Sequence, residues 1–272
     1  MTDTAATTAE HFLALHQGPE PLLMPNAWDA GAARILASLG FAALATTSSG
    51  FAATLGRLDG GVTRDEALEH GRALAAAVAL PVSADLEHCF ADDPPGVAET
   101  VTLAARTGIA GCSVEDYSRS SDAIYPLALA TDRVRAAADA AHAGPVRLVL
   151  TGRAENFLHG NPDLGDTISR LQAYQDAGAD VLFAPGVGRA EDIRTLVANV
   201  DRPVNVLPRP GTPPVAELAE LGVRRISVGG SFCWAAMAAM VTAATELRDA
   251  GTYGYWSAVP DGLAAARAAF TD

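Results

Sequence analysis

The sequence is short of positive charge. Nineteen Lys and Arg stand against 32 Asp and Glu, a formal net charge of −13 at pH 7, which excludes an electrostatic partnership with nucleic acid or an anionic membrane. Small anionic substrates stay open, because a site can be locally basic. Cysteine is scarce too: Cys89, Cys112 and Cys233 lack the density and paired spacing of a disulfide framework and fit a reducing cytoplasm. No apolar run approaches the ~20 residues of a membrane span, and residues 1–9 lack the basic and hydrophobic regions of a secretory signal. The chain reads as soluble and untargeted. What it does have is 272 residues, 49% hydrophobic and 19% charged, enough for one large folded domain.

Short apolar segments alternate with longer Ala-rich amphipathic stretches, the rhythm of repeated β/α units around a parallel sheet. Strands are expected at 22–25, 42–46, 82–86, 111–115, 147–151, 181–184, 204–207 and 225–228, and helices at 30–39, 64–79, 97–107, 132–143, 166–177, 191–198, 215–221 and 235–248. Eight such units in roughly 250 residues describe an α/β fold, a (β/α)8 TIM barrel. The rival, an open doubly wound sheet, would carry a Gly-x-Gly-x-x-Gly after its first strand, and none is present. Thr63-x-x-Glu66 is patterned as a capping box, and Gly40, Gly108, Gly178 and Gly222 follow helices where left-handed caps sit. Residues 253–272 lie beyond the eighth unit, with Tyr253, Tyr255, Trp256 and Phe270 to pack on a neighbouring subunit or on their own barrel.

Catalytic groups in such a barrel belong at the C-terminal strand ends. After the third strand, the two-residue period puts Asp85 and Glu87 on one face. Two converging carboxylates repel unless a cation or proton is shared, and an all-oxygen donor set favours Mg²⁺ or Mn²⁺. The alternative is that Asp85 caps a helix and Glu87 is solvated. At the fourth strand Glu115 falls in register with Ser113 and is the candidate third acid, with Asp116 facing away. Arg153, ending the fifth strand, either clamps a substrate carboxylate or forms an internal salt bridge to Glu115 or Glu155. Thr46 to Phe51, containing Ser48, Ser49 and Gly50, offers hydroxyls and amides as an anion cradle. Asp59 reads as a turn aspartate. His88 and His159 are loop histidines, acid–base groups or solvated. Cys89 has no activating partner in sequence and reads as an inert thiol. Trp28 and Trp234 line the pocket or pack in the core.

Pro25-Asn26-Ala27-Trp28-Asp29, Ser48-Ser49-Gly50, Leu55-Gly56-Arg57-Leu58-Asp59, Asp85-Leu86-Glu87, Val114-Glu115-Asp116 and Gly152-Arg153, followed by Pro203-Val204-Asn205-Val206 and Arg225-Ile226-Ser227-Val228-Gly229, resemble the isocitrate lyase/phosphoenolpyruvate mutase superfamily, mutase-like branch. The ordered match runs from about residue 12 to 250. The resemblance implies a barrel whose last helix, here within about 230–272, is exchanged between subunits of a homodimer or homotetramer. It implies Mg²⁺ at Asp85, with Asp59, Glu87 and Glu115 holding its waters. It puts Ser48, Ser49, Gly50, Phe51, Asn205 and Arg153 around the substrate, with Arg153, Asp59 and Glu115 as the catalytic set.

The departures narrow the activity. Lyases of this superfamily carry a cysteine loop after the fourth strand, where this chain has Tyr117-Ser118-Arg119-Ser120-Ser121-Asp122-Ala123; Pro185 stands where mutases have His and lyases have Glu; and His88-Cys89-Phe90 replaces a Gly-aromatic-Gly. The expected activity is a Mg²⁺-dependent lyase-like reaction on a small anionic 2-oxo or 2-hydroxy carboxylate through an enolate, by C–C cleavage or decarboxylation. The alternatives are P–C chemistry, as phosphonomutase or phosphonopyruvate hydrolase, and a non-catalytic oxo-acid-binding barrel.

Overall fold

A computed structural model describes residues 2–144 and 146–270. The strands are β1 (Leu22–Met24), β2 (Asn26–Ala27), β3 (Leu44–Thr46), β4 (Val82–Asp85), β5 (Gly111–Glu115), β6 (Tyr117–Ser118), β7 (Ala123–Ile124), β8 (Val149–Arg153), β9 (Val181–Phe183), β10 (Val204–Val206) and β11 (Arg225–Ser227). The helices are α1 (Thr2–Ala14), α2 (Ala30–Ser38), α3 (Ser48–Thr54), α4 (Arg64–Ala77), α5 (Pro94–Ala104), α6 (Leu127–Ala143), α7 (Leu164–Asp176), α8 (Ala190–Ala198), α9 (Val215–Glu220), α10 (Ser231–Asp249) and α11 (Val259–Ala269).

The main sheet is parallel and ordered β1-β11-β10-β9-β8-β5-β4-β3-β2. Its two ends are successive pieces of one chain segment: β1 pairs with β11 and β2 with β3, the ladder stepping across Pro25, which has no N–H to give. Closure through that proline makes the expected eight-stranded barrel. β6 and β7 form a separate antiparallel hairpin above it.

Side chains alternate along each strand, so Leu150 joins the large cluster between barrel and helices while Val149, Thr151 and Arg153 step up the interior. Phe12 of α1 is fully buried against Met24, Ala45, Val149 and Val181, sealing the N-terminal mouth. A Cβ on Gly111 would lie 2.9 Å from the Phe12 ring, so only glycine admits that plug.

The capping box at Thr63 and Glu66 is formed, and Gly108 and Gly178 take left-handed φ of 90° and 106° after their helices. Three local expectations are corrected. The fifth barrel strand runs two residues later than 147–151, because Arg147 is drawn to Asp180 below the barrel (2.5 Å) while β8 pairs Glu115 with Arg153. The alternation carrying Asp85 and Glu87 on one face stops at Asp85: the strand ends there and Glu87 turns left-handed, φ 52°. The segment 46–51 is not an open turn: Thr46 ends β3, Thr47 is the N-cap of α3, accepting from the Gly50 amide, and Ser48 to Phe51 are already helical. α11 lies against α2, with Phe270 beside Gly31. Beyond Cys233, α10 leaves the barrel with Met240 and Val241 largely exposed. Thr271 and Asp272, the end of the expected tail, lie outside the described residues.

Candidate active site

The C-terminal mouth opens into a cavity of about 180 Å³, below the ~300 Å³ at which drug-sized pockets begin. Ser48, Ser49, Asp59, Asp85, Arg153 and Asn205 all line it. Below the rim its wall is polar where barrel interiors are ordinarily branched and apolar: Ser83, Ser113, Thr151, Ser227 and Arg225 border it.

At the rim, Arg153 Nη1 lies 3.5 Å from Asp85 Oδ1 and 3.2 Å from Glu115 Oε2, and Nε is bonded to Glu155. Arg153 thus forms the internal salt bridges of one sequence reading, to Glu115 and Glu155 alike, and it also borders the cavity. No described residue accepts from its Nη2. Asp85 is held from two sides, its amide donating to Thr46 Oγ1 (2.8 Å) and its Oδ2 accepting from the Ser48 amide (3.1 Å). Burial drives the Glu115 carboxyl well above the carboxylate range, and Glu155, Asp85 and Glu87 add to this against Arg153. Burial works the same way on Glu155, but Arg153 and His159 outweigh it and hold that carboxyl low. Arg153 pairs with both Glu155 and Glu115, and Glu115 is the one of the two whose carboxyl is raised.

The phosphoenolpyruvate phosphomutase family model matches residues 12–248. The chain belongs to that family. Similar solved structures include a candidate lyase/mutase of Burkholderia cenocepacia J2315, 50% identical, TM-score 0.91, covering 94% of this chain and 93% of that one. Oxaloacetate acetylhydrolase bound to oxalate is 26% identical, TM-score 0.82, covering 92% and 89%. An oxaloacetate decarboxylase of Chromohalobacter salexigens is 29% identical over 90% of this chain and 88% of its own. The phosphomutase-family chain is an enzyme of the isocitrate lyase/phosphoenolpyruvate mutase superfamily, whose members here are lyases and phosphonomutases.

In this phosphomutase-family barrel Glu87 is buried outside the cavity lining, its Oε2 2.6 Å from Arg119 Nε, while Arg119 Nη2 sits 3.6 Å from Asp59. Burial raises the Glu87 carboxyl to about 7, with Arg119 opposing and Asp85 and Asp59 reinforcing. Glu87, Cys89 and Phe90 all adopt left-handed φ of 52–56°, and of these only Phe90 stands where the resemblance puts a glycine; non-glycine residues there cost of order 1–3 kcal/mol each. Arg133, fully buried on α6, fixes this segment by donating to the carbonyls of His88 (2.6 Å) and Ala91 (3.0 Å).

The remaining predicted residues divide. Asn205 lies inside the barrel, bonded to Ser227 and Arg225. Gly50 and Phe51 point away from the cavity: Gly50 packs on Trp28 and Cys233, and Phe51 stacks on His70 at 3.9 Å in a separate apolar cleft that Trp28 shares. The cause is α3, whose turn carries residues after Ser49 to the helix side. Asp116 faces outward, bonded to Arg170, Tyr174 and the Glu155 amide. His88 is pushed down to about 4 by burial and by Arg133 and Arg119. Cys89 is fully buried with its thiol raised to about 12, an inert sulfur. His159 stacks on Tyr117 and lies 3.6 Å from Glu155. Trp234 is 45% exposed.

Sequence reasoning missed Arg119, Arg133 and Arg225. Arg119 carried a signal, being a cation in the loop facing the acids. Arg133 lies mid-helix and Arg225 opens a strand, positions that mark no site.

The donor set fits a hard divalent cation. Five carboxylates, Asp59, Asp85, Glu87, Glu115 and Glu155, meet two guanidiniums, Arg119 and Arg153, and burial, reinforced by the neighbouring acids, raises Glu87 and Glu115. Among the described residues no three Asp, Glu, His or Cys side chains converge to hold an ion, so one or two would ligate it and the others would bond its waters.

Proposed function

We propose that the chain is a Mg²⁺- or Mn²⁺-dependent carbon–carbon lyase acting on a small 2-oxo or 2-hydroxy carboxylic acid, by decarboxylation or C–C cleavage through an enolate. The observation that carries this reading is the meeting of Arg153 and Asp85 at 3.5 Å on the wall of one cavity, beside Ser48 and Ser49. Arg153 Nη2 receives the substrate carboxylate, and Phe183, whose ring centroid lies 5.4 Å from the guanidinium, keeps that plane in place. Ser48 and Ser49 orient the adjoining oxygen. A cation at Asp85, with Asp59, Glu87 and Glu115 on its waters, would supply Lewis acidity to the developing enolate oxygen. All 19 basic residues are arginine, so no lysine can form a Schiff base and the enolate must be stabilised electrostatically. The test offers purified protein with Mg²⁺ oxaloacetate, methylisocitrate-type acids, phosphoenolpyruvate and phosphonopyruvate while pyruvate and phosphate release, and interconversion of the last two by phosphorus NMR, are followed. Turnover of the carboxylic acids supports this reading; turnover confined to the phosphorus compounds overturns it in favour of P–C chemistry.

We also propose a homodimer or homotetramer formed through α10 and α11. Trp234 is 45%, Met240 63%, Val241 59% and Trp256 59% exposed, large apolar side chains that a partner subunit would cover. A cytoplasmic site of action is supported by three cysteines that are all buried free thiols.

A further inference from the structure

The helix that seals the N-terminal mouth reaches the cavity at the other mouth through one side chain. His16 is the buried residue of the 3-10 turn Leu15–Gln17 that continues α1. It stands four positions after Phe12, on the same face, and meets that ring edge-on at 5.0 Å. His16 Nδ1 lies 2.8 Å from the Phe12 carbonyl, which can only accept, so Nδ1 carries the proton. Burial and the Arg225 guanidinium pull the ring down to about 4, so the imidazole is neutral and Nε2 is a bare acceptor. Arg225 Nη1 faces that nitrogen at 3.5 Å.

Arg225 carries the contact on to the cavity. Its Nε donates to Asn205 Oδ1 and its Nη2 to Thr151 Oγ1, both at 3.0 Å. A guanidinium has no acceptor, so Asn205 Oδ1 is the accepting end of that amide, and Asn205 Nδ2 donates to Ser227 Oγ (2.9 Å). Thr151 and Ser227 therefore both accept through oxygen, and among the described residues neither hydroxyl donates to a protein atom. Both border the cavity, as do Asn205 and Arg225, whereas His16 does not. Every link below the cavity thus runs one way, and the two hydroxyl protons are left to face into it.

We infer that His16 is a positioning residue of the active site: by accepting from Arg225 Nη1 it fixes the guanidinium whose other two nitrogens turn the Thr151 and Ser227 hydroxyls toward the cavity. This rests on the proposed reaction in that cavity. Without the Nε2 acceptor the guanidinium is held at two nitrogens instead of three, and it is free to turn about them. The hydroxyls hold bound substrate before and during the reaction alike, so a misplaced Arg225 acts on KM and leaves kcat nearly unchanged.

The test separates the two ring nitrogens. In His16→Gln the amide reaches the place of Nε2 and keeps an acceptor for Arg225; in His16→Asn it reaches only the place of Nδ1 and keeps the Phe12 bond alone. With oxaloacetate and Mg²⁺, His16→Asn should raise KM about fivefold, the scale of one neutral hydrogen bond, with kcat within about twofold, while His16→Gln stays near wild type. Should the Asn variant not fold, His16→Phe keeps the ring without the acceptor and should show the same rise. Equal KM in the Asn and Gln variants, whether unchanged or raised in step with lost thermal stability, overturns the inference. In an Arg225→Gln background His16→Asn should add less than about twofold to KM; the full increase there would mean that His16 acts without Arg225, and overturns it too. Nitrogen-15 spectra of the histidines at about pH 7 should show the His16 proton on Nδ1 and none on Nε2. A proton on Nε2 overturns the inference whatever the enzyme turns over. Failure of wild type to turn over oxaloacetate counts against the proposed reaction, and the spectra then decide for His16 alone.

Discussion

Arg119 fastens the β6–β7 hairpin to the buried Glu87 carboxylate, Nε to Oε2 at 2.6 Å, and reaches Asp59 at 3.6 Å. Its Nη1 would stand 2.2 Å from a Cβ on Gly60, so it lies flat over the Asp59 turn. The same positive charge would compete with the proposed divalent cation for the acids it holds. Arg119→Gln should therefore bind Mg²⁺ more tightly, by about fivefold for ~1 kcal/mol of relieved repulsion, while kcat falls as the hairpin loses its anchor. Calorimetric Mg²⁺ titration beside steady-state kinetics checks the opposed signs; weaker Mg²⁺ binding would mean that Arg119 assembles the acids instead of competing for them.

Asp85 meets Arg153 at 3.5 Å and is the acid that would ligate the cation of the proposed reaction. Asp85→Asn keeps an oxygen for the Ser48 amide, so folding should be spared, with the unfolding midpoint within about 2 °C. Turnover should fall roughly a thousandfold, the scale on which a lost electrostatic stabiliser acts, and added Mg²⁺ should no longer raise the melting temperature. Activity within tenfold of wild type would remove Asp85 from the site.

The barrel was legible because its units repeat: apolar strand segments, capped helices and glycine stops recur, and β5 falls where the pattern put it. The rim residues were legible because strand ends position them, as with Asp85, Glu115 and Arg153. Glu87 and Phe51 show the limit. A two-residue period applies only while the strand lasts; at Glu87 the chain has turned left-handed, and at Phe51 it is helical. Arg225 and His16 are 209 positions apart, a contact no local pattern encodes.

Gly230 ties the site to α10. A Cβ there would fall 2.5 Å from Ser49 Oγ and 2.7 Å from Trp234 Nε1, with φ of −76° leaving the backbone itself unstrained. Gly230→Ala should thus displace Ser49 and the start of α10, costing about 1–3 kcal/mol of stability and raising KM for the acid more than it lowers kcat. Urea unfolding and initial-rate kinetics check this; unchanged KM would show that Ser49 does not meet the substrate.

His70 gives the fold an acid-sensitive element. Burial pulls it from 6.5 to about 4, and it is stacked on Phe51 and bonded to the Trp28 carbonyl at 3.0 Å. The unfolded chain binds this proton more readily, so its contribution is complete above pH ~6.5, declines as pH falls toward 4 and is constant below, with a total on the order of 3 kcal/mol. Between pH 7.5 and 5.0, His70→Gln should lose about 2 kcal/mol less stability than wild type in urea titrations. Equal losses would place the acid sensitivity at other groups.

Met240 and Val241 protrude from the middle of α10, 63% and 59% exposed, while Cys233 at its start is buried against the Gly50 carbonyl. The helix is anchored at one end and presents apolar side chains along the rest, which soluble surfaces avoid unless a partner covers them. A charge at the centre of such a surface is desolvated by association and has no counter-ion. Met240→Asp should reduce the solution mass, measured by light scattering, from a dimer or tetramer to the single-chain 27.9 kDa. Arg248→Gln, at the polar end of the same helix and paired among the described residues only with the adjacent Asp249, should leave it unchanged. A wild-type chain already at the monomer mass would remove α10 as an interface.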